Sequence, residues 1–307
     1  EGFSTMVVVP AILNSQTEID SLVQQLELHY LRNPERGIQF ALLTDFTDAD
    51  QAVLAQDEVL TQYALNAVKE LNRKYQTVRE TAGSGKEPST DSPGETGPFY
   101  LFHRRRLWNP SEGKWIGWER KRGKLHEFNQ ILRIEKNTSK ASNEKTDHSF
   151  TVISDGLHPS DQCIHQLQCT RYVITLDADS ILPRGAGSRL IGTLAHPLNQ
   201  AVFDAETGHI TSGYSVLQPR MEIHPRSVNH SWFTRIFAGD TGLDLYTLAV
   251  SDAYNDLFGE GIFVGKGIYD VDAFMRSVND YIPENSVLSH DLLEGVMGRA
   301  ALVTDIT

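Results

Sequence analysis

Two hydrophobic rhythms alternate along the first part of the chain. Residues 5–13, TMVVVPAIL, form an unbroken apolar run, which predicts a strand buried on both faces. Ser15 and Glu18 then stand at capping-box spacing, and Ile19, Leu22, Val23 and Leu26 follow at helical intervals. Residues 37–46, GIQFALLTDF, repeat the strand pattern and end in Asp45 and Phe46. Residues 48–75 predict a long helix with Val53, Leu60, Ala64, Ala67 and Leu71 on one side. This β-α-β-α order predicts a mainly parallel sheet with covering helices.

A polar Gly/Pro/Ser stretch at 81–98 reads as a surface loop. Its GSGK segment does not have phosphate-loop spacing, because Lys86 is followed by Glu87 and Pro88. A strand is predicted at 99–104, then a basic helix over 119–133 with Leu125, Phe128 and Leu132 inward. A second polar loop is expected at 136–148, followed by strands at 149–154 and in RYVITLDAD, 171–179. Farther on, 201–204 and 209–220 read as short strands or a hairpin. Two aromatic stretches, 230–239 and 244–258, read as helices whose Trp232, Phe233 and Phe237 face a core. A short glycine-containing strand at 261–267, a helix at 270–278, a helix opening at Ser289 and a strand at 302–305 complete the pattern. With no repeat and no linker composition, one domain over 1–307 is expected.

Composition narrows the ligand. A net charge of −12 disfavours nucleic acid and anionic lipid as partners, since both need a basic face. An anionic small ligand would then need a metal ion or a local basic pocket, and RKRGK at 120–124 could supply the cations. Cys163 and Cys169 make no disulfide framework, which points to a reducing compartment. No apolar run approaches the roughly 18 residues of a membrane span. A chain opening at Glu1 rather than Met is expected to be processed, or a piece of something longer.

The chemistry concentrates at Asp177 and Asp179, which close the apolar strand YVITL. Ligands of open α/β sheets bind at the carboxyl ends of strands. Two carboxylates one residue apart suit a hard divalent cation that can also grip a diphosphate. A turn cap is the structural alternative. His196, His224 and His230 lack the paired spacing of metal ligands. A HAD-type phosphatase also ends a strand in D-x-D-x-[ST], and GDTGLD at 239–244 even matches its later acidic motif. That fold needs a lysine between the two motifs, and none lies between Asp179 and Asp240. It also places D-x-D on its first core strand, whereas several strand patterns come earlier here. A metal-dependent glycosyltransferase of GT-A type carries D-x-D midway through its sheet and a general base well downstream. Asp291, in LSHDLLEG near a helix start, offers that base.

Four long blocks carry a more specific likeness. They are YVITLDADSILPRGAGSRLIGTLAHPLN, GYSVLQPR, SDAYNDLFGEGIFVGKGIYDVDAF and PENSVLSHDLLEG. Together with MVVVPAIL they resemble the glycosyltransferase domain of cyclic β-1,2-glucan synthases, over nearly the whole chain. The resemblance implies an α/β fold of the GT-A (Rossmann-like) kind, a mainly parallel sheet with helices on both faces. It implies an inverting, Mg²⁺- or Mn²⁺-dependent transferase with UDP-glucose as donor and a growing β-1,2-glucan as acceptor. It further implies a soluble segment on the cytoplasmic side of a multi-pass bacterial inner-membrane polypeptide.

By the same resemblance Asp179 and Asp177 are metal ligands, and Asp291 is the catalytic base. Pro10, Asp45, Lys124 and Asp177 meet the nucleotide. Tyr254, Phe258, Gly259, Glu260 and Gly261 meet the acceptor. His290 stands where related enzymes often carry Glu. Related processive transferases have a Q-x-x-R-W element beyond the base. It is absent from the 16 residues after Asp291 and is expected farther along a longer polypeptide. Without it the piece is expected to turn over poorly. A domain that binds nucleotide or glycan without catalysis is the non-enzymatic alternative.

Overall fold

The computed structural model describes residues 3–83, 97–133, 148–153, 165, 167–221, 257–278 and 290–306. The chain divides into two compact units, residues 1–182 with 284–286, and residues 183–283 with 287–307. Most of both expected surface loops lies outside the described residues, as do Trp232, Phe233, Phe237, His224, His230, Tyr254 and Cys163.

In the first unit, β1 (Thr5–Leu13), β2 (Ile38–Phe46), β3 (Phe99–Arg104), β6 (Phe150–Ile153) and β7 (Tyr172–Thr175) run in the order β7-β1-β2-β3-β6. The first four of these in the sheet are parallel to one another, and β6 runs antiparallel to β3. A short antiparallel hairpin, β4 (Leu107–Asn109) with β5 (Lys114–Ile116), stands apart from this sheet. Three helices accompany the strands: α1 (Gln16–Arg32), α2 (Asp57–Gly83) and α3 (Arg120–Leu132). Met6 to Val9 and Tyr172 to Thr175 are buried without alternation, as strands covered on both faces must be.

Aromatic contacts show which helix covers which face. Phe99 meets Tyr30 of α1 at 5.2 Å and Tyr75 of α2 at 5.7 Å. Phe102, three residues along the same strand and so on its other face, meets Phe128 of α3 at 5.0 Å. Helices therefore lie on both faces of this sheet, as anticipated.

The second helix starts later than its periodicity suggests. Asp57 accepts from the backbone N–H of Leu54 at 2.7 Å and is gripped by both terminal nitrogens of the buried Arg106. The Arg106 Nε donates to the carbonyl of Thr47 at 2.6 Å, and Ala49 pairs with Trp115 of β5. These bonds hold residues 47–56 as a loop, so Val53 is 72% exposed instead of packing inward. Leu60, Ala64 and Leu71 are buried as expected.

In the second unit, β10 (Val216–Pro219) pairs parallel with β12 (Ala300–Val303) and antiparallel with β11 (Gly267–Asp270). β8 (Val202–Phe203) and β9 (Ile210–Ser212) form the expected hairpin. Helix α4 (Ala186–Ala195) packs on β10 and β11, α5 (Val271–Val278) follows β11, and α6 (Asp291–Met297) precedes β12. The pattern reading did not anticipate α4, because Pro183 and Gly185 look like a stop. Gly185, at φ 71°, is instead the residue from which the helix starts. Residues 261–266 are not a strand, and the ladder begins at Gly267.

Two buried histidines make the first unit sensitive to acid. His29 accepts a hydrogen bond from Leu182 N at 3.3 Å through Nδ1, and His103 pairs through Nδ1 with Thr44 Oγ1 at 2.9 Å. Neither Nε2 has a hydrogen-bond partner among the described residues. Burial holds both pKa values at about 4, below the ordinary 6.5. Between those values the unfolded chain takes up protons that the folded one refuses. Stability is therefore full above pH 6.5 and falls as pH drops toward 4, by about 2 kcal/mol per ring at pH 5. Urea titrations at pH 7 and pH 5 should show this loss, and equal stability at the two pH values would contradict it.

Candidate functional site

Strand order determines where a ligand can enter the first unit. The chain steps from β1 to β2 to β3 in one direction, then returns to set β7 on the other side of β1. Such a reversal leaves a crevice at the carboxyl ends of the parallel strands. β7 pairs with β1 only as far as Val8↔Thr175, so β1 continues from Val9 to Leu13 without β7 beside it. Pro10 sits in this stretch. Val8 points its carbonyl toward β7, accepting from Leu176 N at 3.0 Å, so the N–H that Pro10 lacks would face the same side. The proline therefore removes no bond from the β1–β2 ladder.

A cleft of about 440 Å³ opens at these strand ends. Pro10, Ala11 and Ile12 form one wall, the segment Asp45 to Asp48 a second, and Gly117, Arg120, Lys121 and Lys124 a third. Its floor is a buried charge cluster. The Arg104 Nε and Nη2 donate to the two Asp45 carboxylate oxygens at 2.7 and 3.0 Å. Lys124 Nζ lies 3.0 Å from Asp45 Oδ2 and donates to the Ala11 carbonyl at 2.8 Å. Glu127 Oε2 stands 3.7 Å from Arg104 Nη1 and accepts from the amide and hydroxyl of Ser149. Two cations thus face two carboxylates. Burial would raise the Asp45 pKa, but Lys124 and Arg104 outweigh it and hold the carboxyl below its ordinary value. Burial lowers the Lys124 pKa, with the Asp45 charge opposing.

The cluster also shapes the cleft wall. Glu119 and Arg120 have φ of 48° and 49°, the left-handed region that costs a non-glycine residue about 1–2 kcal/mol. Arg104 donates to the carbonyls of Trp118 at 3.1 Å and Arg120 at 3.0 Å, which braces this turn. A Cβ on Gly117 would fall 2.7 Å from the Asp45 carboxyl, so a glycine is needed for the chain to pass. The turn delivers Lys121 to the cleft. Its Nζ donates to Asp177 Oδ1 at 2.6 Å, with the two side chains 31% and 34% exposed. Such a pair contributes at most about 1 kcal/mol.

Asp177 and Asp179 flank a tight turn just beyond β7, with Ser180 N bonded to the Asp177 carbonyl at 3.0 Å and Asp179 exposed. Their oxygens suit Mg²⁺ or Mn²⁺, and the ammonium of Lys121 already stands at Asp177 as a stand-in cation. Among the described residues no group of three or more His, Cys, Asp or Glu is placed to hold a metal. One or two carboxylates completed by phosphate oxygens is the usual arrangement for Mg²⁺.

In the second unit, Asp291 is the first residue of α6 and is half-buried. Gly265, at φ 75°, is packed against it, and a Cβ there would lie 2.6 Å from Asp291 Oδ1. A Cβ on Gly261 would lie 2.7 Å from the Leu302 backbone N, and Gly261 N donates to the Ala300 carbonyl. The glycine segment 259–267 is thereby laid along β12 and brought to the Asp291 carboxylate. Glu260 stands 3.7 Å from Arg299, Gly259 has φ 68°, and Phe258 is 63% exposed.

Pro10, Asp45 and Lys124 therefore share one cleft, to which Lys121 ties Asp177. Asp291 shares its surroundings with the glycine segment. His196 is exposed and accepts from Leu198 N. Two residues were not singled out from the sequence. Lys121 lay inside the basic run RKRGK, and Arg104 is the signal at the end of FYLFHR, a cation closing a wholly buried strand.

No family model matches the chain. It is 41% identical, over all 307 residues, to a segment of "Cyclic beta-(1,2)-glucan synthase NdvB" from Rhizobium meliloti (strain 1021), which bears out the resemblance read from its motifs. The chain spans 10% of that protein's length. Among solved structures, S. aureus TarS 1-349 matches with a TM-score of 0.43 at 10% identity, covering 99% of this chain and 58% of that one. A second TarS structure matches with a TM-score of 0.38 at 10% identity, covering 99% of this chain and 35% of that one. At those scores the likeness is weak. Among the described residues no helix is long and apolar enough to cross a membrane.

Replacing Arg104 tests the cluster. Arg104→Met leaves Asp45 and Glu127 buried without the guanidinium between them, and should lower the unfolding free energy by about 3–5 kcal/mol in urea. Arg120→Met, whose side chain is 59% exposed, should cost under about 1 kcal/mol. Losses of equal size would contradict the assignment of the cluster as the cleft's support.

Proposed function

We propose that this chain, homologous along its full length to part of a cyclic β-1,2-glucan synthase, is a sugar-transferring domain. It moves glucose from UDP-glucose to a growing β-1,2-glucan with inversion at the anomeric carbon. One observation carries the reading: a cleft at a topological switch point has a buried, ionised Asp45 in its floor and Asp177, tied to its wall by Lys121, beside Asp179.

The residues divide the work. The cleft at Pro10 to Ile12 takes the nucleoside. Asp45 Oδ1 accepts one hydrogen bond from Arg104 and keeps acceptor capacity for a ribose or base group. Lys124 is 3% exposed, so its task is to keep Asp45 charged and fixed. Asp177 and Asp179 would hold Mg²⁺ or Mn²⁺, which supplies positive charge where the departing UDP develops negative charge. Asp291 takes the proton from the acceptor 2-hydroxyl as that oxygen attacks the anomeric carbon from the side opposite UDP. The exposed ring of Phe258 and the backbone of Gly259 to Gly261 receive the acceptor, with Tyr254 assigned there by the resemblance. The chain's span of 10% of its relative accords with a larger polypeptide as its partner; that this polypeptide spans a membrane with this segment on the cytoplasmic face is assigned by the motif resemblance alone. The phosphatase alternative requires its D-x-D on the first core strand, whereas β7 follows β1, β2 and β3 in this sheet.

The test is transfer of labelled glucose from UDP-glucose to a β-1,2-glucan oligosaccharide in Mn²⁺. Asp291→Asn should reduce transfer by about 10²–10⁴-fold while UDP affinity changes less than about twofold. An Asp291→Asn variant that transfers at the parental rate would overturn the assignment of the base. Phosphate release from sugar phosphates, lost in Asp177→Asn, would overturn the reaction class.

A further inference from the structure

We infer, resting on the functional reading above, that Arg106 is a positioning residue for the nucleoside. It holds one wall of the cleft from behind, and affinity for the uridine part of the donor depends on it. The wall is the segment Asp45 to Asp48, and different partners hold its residues. Asp45 is held by Arg104 and Lys124. Asp48 accepts from Arg120 at 3.0 Å. Arg106 serves Phe46 and Thr47. Its guanidinium lies over the Phe46 ring at 4.7 Å, and its Nε donates to the Thr47 carbonyl at 2.6 Å. Arg106 is 3% exposed and does not line the cleft, so it acts through the wall and not on a ligand.

The strand β2 ends at Phe46, and no strand pairing fixes the chain again until Ala49 meets Trp115. Arg106 spans that gap. Besides Thr47 it donates to the Ala52 carbonyl at 3.4 Å and grips Asp57, at the start of α2, with both terminal nitrogens. One side chain thus joins the end of β2, the loop and α2. Ala49 and Trp115 exchange two backbone bonds, at 3.0 and 2.8 Å, which carries the constraint to β5, two residues before Gly117 on another wall of the cleft. Asp177 follows β7 and Asp45 belongs to β2, so the nucleoside end of the cleft is the one toward β2 and β3. The spacing of the walls there depends on where Arg106 sets the loop. A buried ion pair is weak evidence of stabilisation, since an apolar pair often serves stability as well. An apolar pair cannot donate to two loop carbonyls, and a fixed wall needs those donors.

Circular dichroism and calorimetry on the 307-residue chain separate holding the wall from holding the fold. Arg106→Lys keeps a cation for Asp57 but loses the fixed fork of donors. Arg106→Met combined with Asp57→Leu removes both charges and so leaves no unpaired carboxylate in the interior. Each variant is compared with the parent at a temperature where its circular dichroism is parental, with UDP titrated in Mn²⁺ and uridine measured by its displacement of UDP. UDP and uridine should both bind about tenfold more weakly, and by the same factor, because the lost hydrogen bonds act at the nucleoside end alone. Folded variants that bind both as the parent does overturn the role of Arg106, since a merely structural part would lower the urea midpoint and leave both affinities unchanged. A loss for UDP without one for uridine overturns it as well. A parent that binds no UDP in Mn²⁺ overturns the functional reading beneath it.

Discussion

The first unit is organised around a single buried carboxylate. Asp45 is the next-to-last residue of β2, beneath the cleft, where an isolated charge would be expelled or protonated. It remains ionised because Arg104 of β3 grips it with two nitrogens and Lys124 approaches from α3. The same guanidinium reaches the carbonyls of Trp118 and Arg120, so neutralising Asp45 and bending the chain into α3 are one event. Lys121 owes its place in the cleft to that bend, and Asp177 owes its cation to Lys121. The floor built this way is buried, while the Lys121–Asp177 pair at the rim is partly exposed. That contrast suits the proposed function, in which the floor would meet the nucleoside and the rim the metal and diphosphate.

The strands that carry the cleft were legible in the sequence because of how they are buried. TMVVVPAIL, GIQFALLTDF and YVITL lack alternation because helices cover both faces, and their terminal acids therefore stood out as charges at the edge of an apolar layer. The helix faces through Leu60, Ala64 and Leu71, and through Leu125, Phe128 and Leu132, followed from spacing alone. Helix α4 did not, because Pro183 and Gly185 signal a turn equally well whether a loop or a helix follows. The start of α2 did not either, since Asp57 takes part in a long-range grip by Arg106 that no local pattern reveals.

The cleft's electrostatics were less accessible for the same reason. Arg104 and Asp45 are 59 residues apart in sequence, and Lys121 and Asp177 are 56 apart. Periodicity does not report such pairs. A basic run in an acidic chain suggested cations near a phosphate, but which lysine faces outward and which is sunk beneath the floor follows only from the fold. Gly117 and Gly265 belong to the same class. Each is a glycine because a carboxylate that matters, Asp45 or Asp291, occupies the space a side chain would need.

The central claim is that the strand-end cleft and the two aspartates beyond β7 form one nucleoside-diphosphate site. Diffraction from crystals of the chain soaked with UDP and Mn²⁺, recorded at a wavelength where manganese scatters anomalously, tests it directly. The account predicts an anomalous peak between Asp177 and Asp179, diphosphate density touching it, and the uridine lying along Pro10 to Ile12 beside Asp45. Uridine density at another site, with manganese elsewhere, would contradict it.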